Sequence, residues 1–241
     1  MVKLPGRVLL DRSVILHYSP YRESSLLIDV LTEHHGRLRV LGRGVRRGRH
    51  PLSRILRPLH CVRLSWSGRG ELPLLTDAEP LGTETALSGQ ALFCGFYVSE
   101  LIMALLPLQD ACPGLFAIFL ETVGRLQNGV DLQEVLRSFE VVLLQEIGYG
   151  LQFDSDASGS PICPDGDYLY DLGKGPVLMT EASASTLKGS TLEALSHGQF
   201  RDSEQAREAK RLMRTVIQYH LNGRPLKSRE LFKQLPSGSY S

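Results

Sequence analysis

The hydrophobic period of this chain changes once, near Pro80, from two residues to between three and four. A period of two sends side chains to alternate faces of a strand, whereas a period of 3.6 gathers them on one stripe of a helix. The chain is therefore expected to be strands first and helices afterwards. In the first part, Leu38 and Val40 alternate with Arg37 and Arg39, putting two apolar residues on one face and two arginines on the other. Upstream, SLLIDVLT (Ser25 to Thr32) reads as a second strand, joined through Glu33, His34, His35 and Gly36 as a hairpin whose glycine can take φ > 0. Val62, Leu64 and Trp66 alternate with Arg63 and Ser65, Gly68-Arg69-Gly70 turns the chain, and ELPLLT returns as the second arm of another hairpin. With the opening segment from Arg7 to Tyr18 this makes about five strands in roughly 75 residues, the strand count of a Greek-key barrel of the OB type.

After Pro80, Leu87, Ala91, Cys94, Val98, Leu101 and Leu105 step by fours and threes, flanked by Phe93, Phe96, Tyr97 and Ile102, which describes a helix buried on most sides. Pro113-Gly114 opens a second apolar helix. Asp131 with Glu134 three residues later resembles a capping box, opening a helix that carries Val135, Leu136, Phe139, Val142, Leu143 and Ile147. Another helix runs from Ser203 until Gly223 and Pro225 end it. Between them, residues 150–192 read as a less regular insert in which YLYDL and PVLM form a short hairpin. The fold class expected is α+β: an N-terminal five-stranded OB-type β-barrel over 1–80, then a mainly α-helical domain over 81–241 with a short irregular or β insert.

Charge is divided as unevenly as periodicity. Residues 1–70 hold 14 Lys plus Arg against 4 acids, and residues 71–241 hold 13 against 22, so a total of +1 conceals halves of +10 and −9. The span from Arg37 to Pro58 has arginine at 37, 39, 43, 46, 47, 49, 54 and 57 and no acid. Such a cluster fits a polyanion. Guanidinium groups bind phosphate bidentately and stack on bases, and OB-type domains hold single strands along cationic grooves. Neutralising about eight phosphates would make affinity fall by roughly 10³ to 10⁵ between about 50 and 200 mM salt. A solvated loop or an acidic protein partner would suit the same cluster. Stacking candidates in this part are Tyr18, Tyr21 and Trp66, the last on the apolar face of its strand and read as core, so binding is expected to be dominated by the backbone with little sequence preference.

Signals for catalysis are weak. GRGVRRG lacks the Lys-Ser or Lys-Thr of a P-loop, the seven histidines show no HExxH spacing, and there is no GxSxG. DSDASGSPICPD, Asp154 to Asp165, spaces its acids like a calcium loop but lacks the final glutamate and carries Pro161 and Pro164. The cysteines at 61, 94, 112 and 163 never approach CxxC spacing, which points to a reducing compartment. The start, MVKLPGRVLLDRS, has no apolar h-region, so no secretory signal is expected. The longest apolar run, Ala91 to Leu106, contains Glu100 and is too short to span a bilayer.

Five blocks then carry a resemblance: YRESSLLIDVLTEHHGRLRVLGRGVRR, GRGELPLLTDAE, FYVSELI, LRSFEVVLLQEIGYG and RPLKSRELFKQL. In this order, across nearly the whole chain, they resemble the RecO family of bacterial DNA repair proteins. The resemblance implies an OB-fold domain followed by a helical domain, and a non-enzymatic mediator without cofactor in the bacterial cytoplasm, at the nucleoid. It implies binding of single- and double-stranded DNA, annealing of complementary strands, and partnership with RecR and with the acidic C-terminal tail of the single-stranded-DNA-binding protein in loading RecA. Arg37, Arg39, Arg43, Arg46, Arg47, Arg49, Arg54 and Arg57 are the expected DNA-binding residues. For the tail, Arg137 and Arg125 are the basic residues between Glu71 and Gly173, and Arg137 lies in a matched block; it reads equally as an ion pair with Glu134 or Glu140 at helical spacing. Arg224, Lys227, Arg229 and Lys233 extend the DNA path or cap a helix. Some relatives carry a four-cysteine zinc site in the insert; here Cys163 stands there alone, so that feature is not carried over. Two further readings stay open, a metal-dependent nuclease using the aspartates between Asp154 and Asp171, and a general single-stranded nucleic-acid-binding OB protein.

Overall fold

The computed structural model of the chain describes residues 6–46, 51–82 and 87–234, with side chains described as far as Glu230. Two compact units are present, residues 1–127 with 226–241, and residues 128–225. The first unit opens with β1 (Arg7–Tyr21), β2 (Ser25–Thr32) and β3 (Gly36–Gly42), then a one-turn helix α1 (Leu52–Ile55), then β4 (Cys61–Ser67) and β5 (Leu74–Pro80). The strands close in the order β1-β2-β3-β5-β4, antiparallel throughout except where β3 meets β5 in parallel at Leu41 and Leu74. This is a five-stranded barrel of the OB type, with α1 in the connection between β3 and β4. The alternation read from the sequence sets its interior: Ile28, Val30, Leu38 and Val40 point inward and pack with Ile15, Val62, Leu64 and Trp66. Trp66 is fully buried, with the edge of the His35 ring 5.3 Å from it between centroids.

Closure asks β1 to pair on both sides, and its register slips between Val8 and Asp11 and again between Ile15 and His17. Such bulges bend a strand and increase its twist. Leu10 takes a positive φ of 54° inside the first bulge. Asp11, at its end and 7% exposed, accepts hydrogen bonds from His34 Nδ1 at 2.7 Å and His35 Nδ1 at 2.8 Å, tying the β2–β3 turn to β1. Gly36 in that turn has φ +68°, and a Cβ there would lie 1.8 Å from the carbonyl oxygen of Asp110. No other residue type fits.

Two helices follow in this unit, α2 (Gly89–Leu105) and α3 (Pro113–Gln127). Buried residues of α2 at Cys94, Tyr97, Val98, Leu101 and Ile102 recur at intervals of three and four and share one broad face, with Phe93 and Phe96 half-buried beside it, and the helix packs against β1 and α3. The second unit begins with α4 (Leu132–Glu146) and continues through β6 (Asp167–Asp171), β7 (Gly175–Met179), β8 (Leu187–Lys188), α5 (Gly189–His197) and α6 (Ser203–His220). Asp131 caps α4, accepting from the amides of Gln133 and Glu134 at 2.8 and 3.1 Å. The capping-box resemblance stops there, because the Glu134 carboxylate accepts from the Phe200 amide. Asp202 caps α6 in the same manner as Asp131.

The insert is more ordered than its composition suggests. β6 and β7 form the expected hairpin, β8 extends it to a three-stranded sheet, and Phe153, Tyr168 and Leu187 join Leu144, Leu192 and Met213 in the core of the second unit. The last helix, α7 (Lys227–Gln234), belongs to the first unit. Glu100 caps it, accepting from the amides of Lys227 and Ser228 at 2.8 Å each and from Ser228 Oγ at 2.6 Å. The acid inside the longest apolar run thus answers the positive end of a helix. The compact units do not divide at Pro80, where the period changes: α2, α3 and α7 belong with the barrel.

The hydrogen bond to Asp11 raises the pKa of His34 above its ordinary 6.5. The protonated imidazole is favoured in the folded state, so this contribution to stability is complete below pH 6.5 and is lost as pH rises through the raised value. His34→Gln should lower the melting temperature by about 1–3 °C near pH 6, since the ring is exposed. That difference from wild type should close by about pH 9, which a melting series in matched buffers checks.

Candidate nucleic-acid interface

The outer face of β2 and β3 is where OB barrels receive strands, together with the turn between β1 and β2 and that between β4 and β5. Here that face is not purely cationic. Register places Asp29 directly opposite Arg39, with Arg37 two residues away opposite Leu31. The Asp29 carboxylate, 4% exposed, accepts from Arg39 Nε at 3.1 Å and Arg39 Nη2 at 3.1 Å, and Arg37 Nη1 lies 3.6 Å from it. Arg37 also donates from Nε to the Leu106 carbonyl at 2.9 Å, and its backbone carbonyl accepts from the Gln109 amide. Burial lowers the pKa of Arg37. Two of the expected DNA-binding arginines therefore neutralise a buried acid, and Arg37 is committed to packing; the strand pattern put them on the outer face without revealing Asp29 between them.

The exposed cations gather at one end of the barrel. Arg43 and Arg46 follow β3, and both are exposed. Arg46 donates from its amide to the Ser24 carbonyl at 2.9 Å and from Nη1 to the Arg22 carbonyl at 3.3 Å, so it stitches this segment to the β1–β2 turn. In that turn Arg22 holds a φ of +51°, and its guanidinium lies 5.3 Å from the centroid of the Tyr21 ring. Tyr21, Arg22, Ser24, Ser25, Leu41, Arg43 and Gly44 line a cleft of about 510 Å³. None of Arg22, Arg43 and Arg46 forms an ion pair among the described residues, and the acid of the turn, Glu23, is exposed. Arg54 on α1 and Arg57 just after it are also exposed. Arg47 and Arg49 lie outside the described residues. Arg22 escaped the sequence reading because it stands fifteen residues before the arginine-rich run; its signal was its position beside Tyr21 in the first turn of a barrel that binds through its turns.

The two expected tail-binding arginines fall in different units. Arg137 is buried in α4 with its Nη2 2.6 Å from Glu140 Oε1, an ion pair at helical spacing that lies in the interior and not on the surface. Arg125 is half-buried in the last turn of α3. At the C-terminus, Arg229 turns toward α2, its guanidinium 5.7 Å from the centroid of the Tyr97 ring. In the insert, Asp156 accepts from the Ser158 hydroxyl and from the amides of Ser158 and Ser160, bonds that lower its pKa. Its oxygen thus serves its own loop. Among the described residues no three His, Cys, Asp or Glu side chains are grouped to hold a metal ion.

Comparison with known proteins decides what kind of barrel this is. Residues 8–83 match the family described as Recombination protein O N terminal, and residues 87–230 match Recombination protein O C terminal. The chain belongs to the RecO family of DNA repair proteins. It is 49% identical over 230 residues to the DNA repair protein RecO of Methylococcus capsulatus, covering 95% of each chain. It is 40% identical to that of Nitrosococcus oceani, over 95% of this chain and 94% of the relative, and 38% identical to that of Vibrio cholerae, over 93% and 94%. The N-terminal match of the RecO family coincides with the barrel, and its C-terminal match begins just before α2. No helix among the described residues is long and apolar enough to cross a membrane.

The geometry separates structural from free arginines. Arg37→Gln should lower the unfolding free energy by about 1–3 kcal/mol, because it removes a charged hydrogen bond and half the company of a buried acid. Arg43→Gln combined with Arg57→Gln should change it by no more than about 0.5 kcal/mol. Urea denaturation of the two variants beside wild type checks the contrast.

Proposed function

We propose that this chain is a DNA repair and recombination mediator that binds single- and double-stranded DNA and anneals complementary strands. With RecR it helps load RecA onto DNA coated by single-stranded-DNA-binding protein. The observation that carries this reading is the group of exposed arginines without an ion pair among the described residues, Arg22, Arg43 and Arg46, around the Tyr21 cleft of an OB barrel in a RecO family member. Arg54 and Arg57 extend the path, and Arg47 and Arg49 add charge to the same stretch of sequence.

Physically, annealing in this reading needs no nucleotide hydrolysis. Two strands repel through their phosphates, and cations that neutralise both lower that barrier while counterion release drives binding. Arginine suits the task because its fork grips phosphate while its plane stacks on a base, and Tyr21 offers a second flat surface. For the acidic tail of the coat protein the candidates are Arg137, which pairs with Glu140 through Nη2, and the half-buried Arg125. RecR is assigned no surface.

The test is annealing of complementary strands coated with the cognate single-strand-binding protein, without ATP, with intact and tail-deleted coat. Annealing should require the intact tail. The variant carrying Arg22→Gln, Arg43→Gln and Arg46→Gln should fail to anneal and should bind naked single strands with a log–log salt slope lower by about 2. Unchanged affinity in that variant would remove the barrel mouth as the DNA site.

A further inference from the structure

Residues 128–225 hold nine Lys plus Arg against fourteen acids, yet four of those nine cations fall within eight residues of α6. Arg207, Lys210, Arg211 and Arg214 have the spacing i, i+3, i+4, i+7, which is one face of a helix, and all four are exposed. The opposite face, with Ala209, Leu212, Met213, Val216 and Ile217, is buried in the unit's core. None of the four forms an ion pair among the described residues. Arg207 Nε donates to the Ser203 carbonyl at 3.2 Å and Arg211 donates to the Thr186 carbonyl, both neutral acceptors that leave the charge uncompensated. Two acids share this stretch of α6: Glu204, exposed three residues before Arg207, and Glu208, whose carboxylate accepts from the Lys188 amide at 3.1 Å and from the Thr191 hydroxyl.

Arg211, Thr215 and Tyr219 continue along the same face at intervals of four. Tyr219 is 62% exposed and stands edge-on to His220, with centroids 5.2 Å apart. Tyr149, 51% exposed, stacks on the same histidine, with centroids 4.2 Å apart and an interplanar angle of 26°. Burial lowers the pKa of His220, which favours the neutral form of its ring. Large aromatic surface left in water and braced by a neighbouring ring is unusual for a side chain with no contact to make.

We propose that the exposed face of α6, with Tyr149, His220 and Tyr219 at its end, is a second binding surface for single-stranded nucleic acid. Four cations spread over about 10 Å of helix track a phosphate backbone, and the exposed rings offer platforms for unpaired bases. An acidic peptide would use the cations but asks for an apolar pocket beside them rather than flat aromatic faces. A duplex keeps its bases stacked and leaves the rings unused. The inference rests on the DNA-binding reading above and adds a second site to it.

The full chain is titrated with a labelled dT oligonucleotide over a range of salt, and cross-linked to the same oligonucleotide carrying 5-iododeoxyuridine. Replacing Arg207, Lys210, Arg211 and Arg214 by Gln should lower the salt slope by about 3 and the affinity by roughly 100-fold near 0.1 M salt. A variant with Arg207→Gln, Lys210→Gln and Arg214→Gln spares the bond of Arg211 to Thr186 and should lower the slope by about 2. Tyr219→Ala should weaken binding roughly 5-fold or more and shift cross-links away from α6. If the triple α6 variant keeps the wild-type slope while Arg43→Gln with Arg46→Gln loses affinity, the α6 surface is overturned and the barrel reading stands. If the α6 variants lose only an acidic peptide and keep the oligonucleotide, the surface is a protein site and the proposal falls. If wild type fails to bind the oligonucleotide at all, the DNA reading itself fails.

Discussion

A carboxylate with only 4% of its surface in water must be paired, and Asp29 on the outer face of β2 takes Arg39 and Arg37 for the purpose. Much of the first unit depends on that pairing. Arg37 is held where its Nε reaches the Leu106 carbonyl, so the same ion group that neutralises the sheet face fixes the chain after α2 against β3. Gly36 beside it admits the Asp110 backbone at a distance no side chain would tolerate. The sheet face most often used for strands in OB barrels is thereby partly closed, and the free positive charge is displaced to the end of the barrel where β1 turns into β2 and β3 leaves the sheet.

That displacement changes how the arginine cluster works. A cation held by a buried acid is a poor phosphate ligand because taking it away leaves the acid unpaired in low dielectric. Arg22, Arg43 and Arg46 carry no such debt. Arg46 nevertheless has a structural part, since its amide and guanidinium fasten the β1–β2 turn through the carbonyls of Ser24 and Arg22. Donating to carbonyls fixes geometry and leaves net charge intact, which is the combination a preorganised anion site needs. The contrast between Arg39 and Arg46 is therefore one of acceptor type: carboxylate in the first case, carbonyl in the second.

The barrel was legible because inward and outward residues alternate with so few exceptions. Leu38, Val40, Val62, Leu64 and Trp66 all point where a period of two sends them, and Asp131 announces α4 from the sequence alone. The losses have a common cause: they concern partners distant in sequence. Asp29 meets Arg39 across a strand pair, Glu100 meets α7 from 127 residues away, and Glu134 leaves its expected capping box for the Phe200 amide. A local pattern reports which face a side chain occupies and nothing of what waits there. Short elements were lost for a related reason, since α5 and β8 are too brief to show a period and are held by core contacts of Leu187, Leu192 and Leu195. Arg137 stands between the cases: its partner three residues on was readable, but its burial was not.

Net charge is likewise a sum that ignores position. Residues 71–241 sum to −9, yet exposed charges in salt solution are largely screened from one another beyond about 8–10 Å. The cationic stripe of α6 is itself about 10 Å long, so an anion lying on it is governed by Arg207, Lys210, Arg211 and Arg214 and is largely screened from carboxylates elsewhere. The relevant acids are those close by, Glu204 and Glu208, two carboxylates against four cations, and that of Glu208 also accepts from the Lys188 amide and the Thr191 hydroxyl. What matters for a flexible polyanion is the charge within a Debye length of its path. By that measure both compact units of this chain present a cationic track beside an aromatic ring, the half-buried Tyr21 in the barrel and the exposed Tyr149 and Tyr219 in the second unit. In the annealing role proposed for this chain, two such tracks have a physical use: each neutralises its own strand, and the repulsion that opposes pairing falls on both sides at once.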